Sequence, residues 1–198
     1  MRRAAAATIG ILCGAAGSTA LAAERQHDAH QHGIGQLNIA VEAGTVRIEL
    51  SAPGADIVGF EHMATNETER AALSNAAARL RDGAALFVFP AEAGCTLEAS
   101  EVHSDLLTDA APDAHAHDDA HEHEDEHGSS HEHAGSEDGH AEFTAGYRFE
   151  CAERVRLTHV DVRVFEIFPA SQRLAVQAIS DTGQTRRALT PGDTRLDF

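Results

Sequence analysis

Alternating apolar and polar residues predict β-structure over much of the chain. In residues 34–53 two runs alternate with a period of two, and the tetrapeptide EAGT separates them. This period turns one face of each run toward a core, so the pattern predicts a β-hairpin. The same alternation predicts strands at residues 95–106, 142–151, 174–179, 186–189 and 195–198. We expect the strand at 142–151 to pair with the one that begins at Cys95.

One segment has a helical pattern instead. Residues 66–81 (NETERAALSNAAARLR) place alanines and leucines on one face, with glutamates in the first turn and arginines in the last. This arrangement complements the helix dipole. Thr65 or Asn66 can cap the start, and Gly83 is expected to end the helix.

These elements predict an α+β fold, in which at least one helix packs on a mostly antiparallel sheet. Residues 155–168 fit both a strand, through valines at alternate positions, and a helical face. No internal repeat is visible. About 140 residues remain outside the leader and a polar insertion, which is enough for the core of one domain spanning residues 23–198.

The first 22 residues have the pattern of a secretory signal peptide. Arg2 and Arg3 precede a short apolar run, and Ala20, Leu21 and Ala22 form an A-x-A cleavage signal. The run is too short to span a bilayer, so we expect no membrane insertion. The mature protein is expected to begin near Ala23, outside the cytoplasm.

The charge balance limits the possible partners. The chain has 15 arginines and no lysine against 32 acidic residues, a formal net charge of −17. Such an acidic chain is a poor partner for nucleic acid or an anionic membrane. Twelve of the acidic residues lie in residues 109–142, among histidines, and this favours a cation as the partner.

The most distinctive segment is the polar insertion, which we place at residues 108–141. Between residues 115 and 140 it has nine carboxylates and no aliphatic side chain larger than alanine. It cannot bury enough apolar surface to offset its ordering entropy, so we expect a flexible loop between two strands. Its eight histidines are His115, His117, His121, His123, His127, His131, His133 and His140.

Imidazoles and carboxylates are ligands for Zn²⁺ and for copper, nickel and cobalt. Three H-x-H pairs put two imidazoles on the same side of an extended segment, and the loop has enough ligands for about two or three tetrahedral ions. We expect several sites of moderate affinity that weaken below about pH 6.5, because imidazole must be deprotonated to bind. The alternatives are a solvated spacer and a pH-responsive segment.

A second, more ordered metal site is possible at His30, His32 and His62. The first two precede the first predicted strand, and His62 follows a short apolar segment, so all three could meet at one end of the sheet. A mobile arm and a surface histidine explain these residues equally well. His103 and His159 are isolated and are interpreted as packing or surface residues.

The mature chain has two cysteines, Cys95 and Cys151. In an oxidising compartment an even number predicts a disulfide, and this one would close a ring of roughly 55 residues. We expect it to hold the strand ends from which the histidine loop leaves. A pair of thiolate metal ligands is the less favoured alternative.

Several segments resemble the ZrgA-like periplasmic proteins associated with zinc uptake. They are HQHG at 30–33, LNIAVEAG at 37–44, APGADIVGFEH at 52–62, the histidine-acid loop, Cys151, VFEIFP at 164–169, and LAVQAI with GQTRRALT. The resemblance implies a periplasmic zinc-binding protein that assists a high-affinity uptake system. Its partner would be a zinc ABC transporter or that transporter's solute-binding protein.

Other functions receive less support from the sequence. None of the motifs H-E-x-x-H, G-x-S-x-G, G-x-G-x-x-G or the P-loop is present, so we expect no enzymatic activity. A primary solute-binding protein would need two lobes and roughly twice this length. Buffering of, or resistance to, copper, nickel or cobalt remains an alternative, as does a pH-sensitive interaction module.

Overall fold

The computed structural model describes residues 33–110 and 141–198. The strands of this part are β1 Ile34–Glu42, β2 Thr45–Pro53, β3 Phe87–Val88, β4 Cys95–His103, β5 Glu142–Cys151, β6 His159–Val162, β7 Arg173–Ser180, β8 Gly183–Leu189 and β9 Arg195–Asp197. The α-helices are α1 Gly54–Ile57, α2 Glu67–Arg81, α3 Gly83–Leu86 and α4 Val164–Ile167. Short 3-10 helices span Ala91–Ala93, Asp105–Ala110 and Arg154–Arg156.

The strands form two sheets. The larger has the order β4-β5-β2-β1-β7-β8, and the smaller has the order β3-β6-β9. All of the pairs are antiparallel except β1 with β7, which is parallel. This mostly antiparallel sheet with packed helices confirms the predicted α+β fold.

The β1–β2 hairpin shows how local sequence determines this part of the sheet. Glu42 pairs with Thr45, so only Ala43 and Gly44 form the turn, and both have positive φ angles, 52° and 94°. A two-residue turn with two positive φ angles matches the right-handed twist of the flanking strands. The Gly44 carbonyl also accepts a hydrogen bond from the Cys151 amide at 2.9 Å, which joins the turn to the end of β5.

The core lies on one face of the large sheet, where the apolar residues of the predicted strands meet the helices and the small sheet. Alternate residues of β1, β2, β5 and β7 are buried, while the residues between them are mostly exposed. Its largest fully buried side chains include Phe87, Phe143 and Phe149. The single buried face explains the period-two pattern.

Helix α2 covers this core and follows the predicted pattern. The Asn66 side chain accepts a hydrogen bond from the Glu69 amide at 3.0 Å, and Leu73, Ala76, Ala77 and Leu80 are buried. The helix ends at Arg81, and Asp82 is both its C-cap and the N-cap of the next short helix, α3, which begins at Gly83. Among the helices of residues 33–110 and 141–198, none is both long and apolar enough to cross a membrane.

Tyr147 fixes the end of α2 to the sheet. Its buried hydroxyl donates to the Leu80 carbonyl at 2.7 Å, and burial raises the pKa of this phenol well above its usual range. A Cβ at Gly83 would lie 2.5 Å from the Tyr147 ring, so only glycine fits here without a shift.

Replacing Tyr147 by Phe is expected to destabilise the protein by about 1–2 kcal/mol, because the Leu80 carbonyl loses its buried donor. Urea unfolding of the variant measures the loss. Val155→Ala is the control, since Val155 is 82% exposed and its change should have almost no effect. Equal stability of the two variants would contradict the role assigned to this hydrogen bond.

The ambiguous residues 155–168 contain three short elements rather than one. The 3-10 helix Arg154–Arg156 precedes β6, and α4 follows it. Val160, Val162 and Val164 are all fully buried, because the first two lie on the inner face of β6 and the third begins α4. Both predicted patterns are therefore present, one after the other.

The predicted disulfide between Cys95 and Cys151 is present. The prediction that this disulfide lies at the base of the histidine loop is wrong. Cys95 begins β4 and Cys151 ends β5, whereas the loop leaves after His103 and returns before Glu142. Eight residue steps of β4 separate the bridge from the loop, about 27 Å at the rise of a strand. The disulfide closes the far end of the hairpin.

A candidate metal-binding corner

The residues on both sides of the histidine segment are firmly held. Leu106 is buried, and the Thr108 hydroxyl donates to the Asp105 carbonyl at 2.6 Å. Thr108 lies within the 3-10 helix Asp105–Ala110, and the bounds predicted for the loop, 108–141, stay a prediction. At the other end the Ala141 carbonyl accepts from the Gly54 amide at 2.6 Å. The eight loop histidines, from His115 to His140, lie outside the described residues.

Gly33, the first described residue after the N-terminal arm, is also held beside α1. The Gly33 amide donates to Asp56 Oδ1 at 2.8 Å, and Asp56 is only 4% exposed. The Gly33 carbonyl accepts from the amides of Gln172 and Arg173 at 3.0 and 2.9 Å. Sequence reasoning missed Asp56, although a single carboxylate within the apolar stretch ADIVGF is a recognisable sign of a buried hydrogen-bond acceptor.

Gly54 is the point at which three parts of the chain meet. A Cβ there would lie 2.8 Å from the Phe60 carbonyl, 3.0 Å from the Ala141 carbonyl and 3.4 Å from Glu61 Cγ. We call the residues around α1 (Gly33, Gly54, Asp56, Glu61, His62, Ala141 and Glu142) the α1 corner. His32 is bonded to Gly33 and His140 to Ala141, so both predicted ligand segments adjoin this corner.

His62 has the hydrogen bond expected of a metal-binding imidazole. The ring is exposed, stacks on Phe60 with centroids 5.0 Å apart, and has Nδ1 3.0 Å from the Met63 carbonyl. Because a carbonyl can only accept, the neutral ring carries its proton on Nδ1 and its free lone pair on Nε2. A backbone carbonyl bound to one ring nitrogen orients the other nitrogen for a metal.

Three carboxylates surround this corner. Asp56 accepts from the Gly33 amide, Glu142 accepts from the Ser51 hydroxyl, and Glu61 is half-buried. Within residues 33–110 and 141–198 no three histidine, cysteine or acidic side chains are close enough to hold a metal. An ordered centre here would therefore need imidazoles from outside the described residues. His30 and His32 lie outside them, so a site formed with His62 stays a prediction.

The other two histidines of the described part match their sequence interpretation. His103 lies exposed at the end of β4, with Nε2 3.8 Å from Glu101. His159 is half-buried, with Nε2 3.7 Å from Asp161 Oδ2. Arg195 binds Asp161 through two hydrogen bonds of 2.8 and 3.0 Å, and these hold the pKa of this carboxyl below its usual range.

Replacing His62 by Ala is expected to weaken the tightest zinc site at least tenfold, because losing a ligand costs no less than losing one of the groups that orient a ligand. Competition with a chromogenic chelator measures the affinity. His159→Ala removes an imidazole of β6, in the small sheet that contributes no residue to the α1 corner, and should leave the affinity unchanged. Equal affinities for both variants would exclude His62 as a ligand.

Comparison with known proteins agrees with these observations. No curated protein matches the chain at a significant level. One protein family, described as ZrgA family zinc uptake protein, matches residues 29–198, which include the hairpin, α2, Cys95, Cys151 and the histidine segment. The match covers well over half of the chain, and the family is named for transport of a metal rather than for a catalysed reaction. The chain belongs to the ZrgA family of zinc uptake proteins.

Proposed function

We propose that this protein captures zinc in the periplasm and passes it to a high-affinity uptake system. The family is named for zinc uptake. Zinc is therefore proposed as the ion that this protein carries. The observation that carries the proposal is the ligand set, eight imidazoles and nine carboxylates within residues 115–140. The periplasmic location rests on the signal-peptide pattern of residues 1–22.

The chemistry of these ligands suits capture followed by release. The segment offers many equivalent ligands with no cysteine among them, so different sets of four can hold Zn²⁺ with similar free energy. A partner that offers one preorganised site can then remove the ion stepwise. His62 is proposed to bind the ion through Nε2 at the α1 corner. It would join His30 and His32 in a tighter site beside this segment.

A growth experiment tests the role. A strain without the protein is expected to grow poorly when zinc is chelated, and the intact protein should restore growth while a variant lacking residues 113–140 should not. Normal growth of the deletion strain under zinc limitation would contradict the proposal.

The second candidate is a buffer or resistance protein for copper, nickel or cobalt. It is favoured by the order of affinities, since an unconstrained imidazole site binds copper more tightly than zinc. The same deletion strain distinguishes the two functions. Sensitivity to excess copper, nickel or cobalt with normal growth at low zinc would establish the second function and exclude the first.

The proposed delivery step can be measured with purified proteins. Zinc-loaded protein mixed with the metal-free solute-binding protein of a zinc ABC transporter should lose zinc faster than the same protein mixed with free chelator of equal affinity. Equal rates would show that zinc passes through solution and would exclude direct delivery.

A further inference from the structure

The segment between α1 and α2 carries His62 and has little regular structure of its own. Residues 60–66 form neither helix nor strand. Within residues 33–110 and 141–198, no backbone group of residues 62–65 bonds to another backbone group. A segment with so few backbone hydrogen bonds opens at a low cost in free energy. The position of His62 therefore depends on the side chains that hold this segment.

Two side chains hold the segment, one on each side of His62. Before it, the Phe60 ring packs against the core, and the His62 ring stacks on Phe60 with centroids 5.0 Å apart. After it, the Glu69 carboxylate accepts hydrogen bonds from the Thr65 amide at 2.7 Å and from the Thr65 hydroxyl at 2.9 Å. Both bonds go to the same oxygen, Oε2. Glu69 thus ties the end of the segment to the first turn of α2.

The bonds of Glu69 are a shifted form of the capping box. In the usual box, the N-cap residue and the residue three positions later each accept a hydrogen bond from the backbone amide of the other. Asn66 follows this rule by accepting from the Glu69 amide, whereas the Glu69 side chain reaches one residue further back, to Thr65. The usual box stabilises the start of a helix. The shifted one also fixes a residue outside the helix, three positions after His62.

The charge of Glu69 favours a cation at His62 as well. The two bonds from Thr65 hold the pKa of the Glu69 carboxyl below its usual range, and the nearby His62 imidazole lowers it further. The carboxylate is therefore ionised at neutral pH, and it attracts a cation bound to His62. This attraction is small beside the effect of the hydrogen bonds, because solvent screens charges at an exposed site.

We propose that Glu69 is a positioning residue for zinc, which keeps His62 in place at the α1 corner through its two hydrogen bonds to Thr65. The inference rests on the proposed function, in which His62 belongs to the tighter site. Glu69 acts on the ion through His62 and is not itself a ligand. Without Glu69, ordering of residues 62–65 would have to accompany binding, and this cost would weaken the affinity for zinc.

Zinc competition with a chromogenic chelator tests the proposal on the full chain. Glu69→Ala should weaken the tightest site about tenfold, the lower end of the usual effect of losing a group that orients a ligand. Glu67→Ala is the matched control, because Glu67 has the same charge in the same first turn of α2, and it should leave the affinity unchanged. Equal weakening by the two alanine variants would overturn the proposal.

A conservative variant separates position from charge. Glu69→Gln removes the charge but keeps one side-chain oxygen, which can accept both Thr65 bonds because both go to a single oxygen. It should therefore restore most of the affinity that Glu69→Ala loses. An affinity as low as that of Glu69→Ala would assign the effect to charge and would contradict the positioning role. Circular dichroism confirms that each variant is folded.

A double variant shows whether Glu69 acts through His62. In a protein that already carries His62→Ala, the change Glu69→Ala should have no further effect on zinc affinity. A further tenfold loss would mean that Glu69 acts by another route, and it would overturn the proposal. A merely structural role of Glu69 would weaken binding in both backgrounds.

A measurement without zinc examines the segment directly. In NMR spectra of the metal-free protein, the His62 ring protons should shift in Glu69→Ala, because the ring spends less time stacked on Phe60. They should stay unchanged in Glu67→Ala. Unchanged His62 signals in Glu69→Ala would overturn the proposal even if the affinity fell.

The same variants separate this inference from the proposed function. If His62→Ala weakens zinc binding and Glu69→Ala does not, the inference fails and the site at His62 stands. If His62→Ala has no effect on zinc binding, the proposed site itself fails and the inference fails with it.

Discussion

Deleting residues 113–140 is expected to remove about two or three zinc ions from the protein, nearly all that it binds at neutral pH. The deleted segment contains all eight loop histidines and leaves His62 at the α1 corner. Native mass spectrometry of the intact and deleted proteins, loaded with equal zinc, counts the ions directly. Any ion that remains should depend on His62.

A second variant separates histidine from carboxylate binding. Replacing the eight histidines by glutamine keeps the length and all nine carboxylates, and it should lose as many ions as the deletion. The core of the described part is built from residues outside the segment, so both variants should unfold at nearly the temperature of the intact protein. An unchanged ion count in the glutamine variant would assign the binding to carboxylates and contradict the histidine hypothesis.

Replacing Cys95 and Cys151 together by alanine is expected to destabilise the protein by about 4 kcal/mol in the chain-entropy treatment. The two residues are 56 apart in sequence, so the bridge restricts a large part of the unfolded chain. Urea unfolding of the oxidised protein and of the double variant measures the difference. A loss below about 1 kcal/mol would show that the β4–β5 pairing makes the bridge redundant.

Combining the Cys95/Cys151 replacement with the deletion of residues 113–140 gives a sharper test of the bridge. The deletion roughly halves the ring, and the bridge should then contribute about 0.6 kcal/mol less, because closure entropy varies with the logarithm of ring length. The bridge lies at the far end of the hairpin from the loop, so its removal should leave the zinc count unchanged in folded protein. A lower count would mean that the bridge does orient the metal-binding segment.

Much of the fold could be predicted because its signals are local. The alternation in residues 34–53 and the two-residue turn between β1 and β2 predict the hairpin, and the apolar face of residues 66–81 predicts α2. The pairing of Cys95 with Cys151 follows from their being the two cysteines outside the predicted leader. The HQHG and VFEIFP segments led to the family, and the density of imidazoles supports the proposed metal binding, which stays a prediction.

Other features depend on contacts between distant parts of the chain. The parallel pairing of β1 with β7 joins residues more than 130 positions apart, and alternation shows which face of a strand is buried but not which strand lies beside it. For the same reason the sequence predicted the correct disulfide but placed it at the end of the β4–β5 hairpin where the histidine loop leaves, and it lies at the opposite end. The antiparallel register of β4 and β5 decides that end.

The sequence by itself determined most of the strands, helix α2, the disulfide pair and the family, because each depends on residue type and near spacing, while its zinc ligand set stays a prediction. Only the tertiary structure decided that Gly33 and Ala141 both meet at α1, and that the Tyr147 hydroxyl binds the end of α2. These arrangements come from packing on a shared core, where burial and hydrogen bonding select neighbours that sequence separation does not reveal.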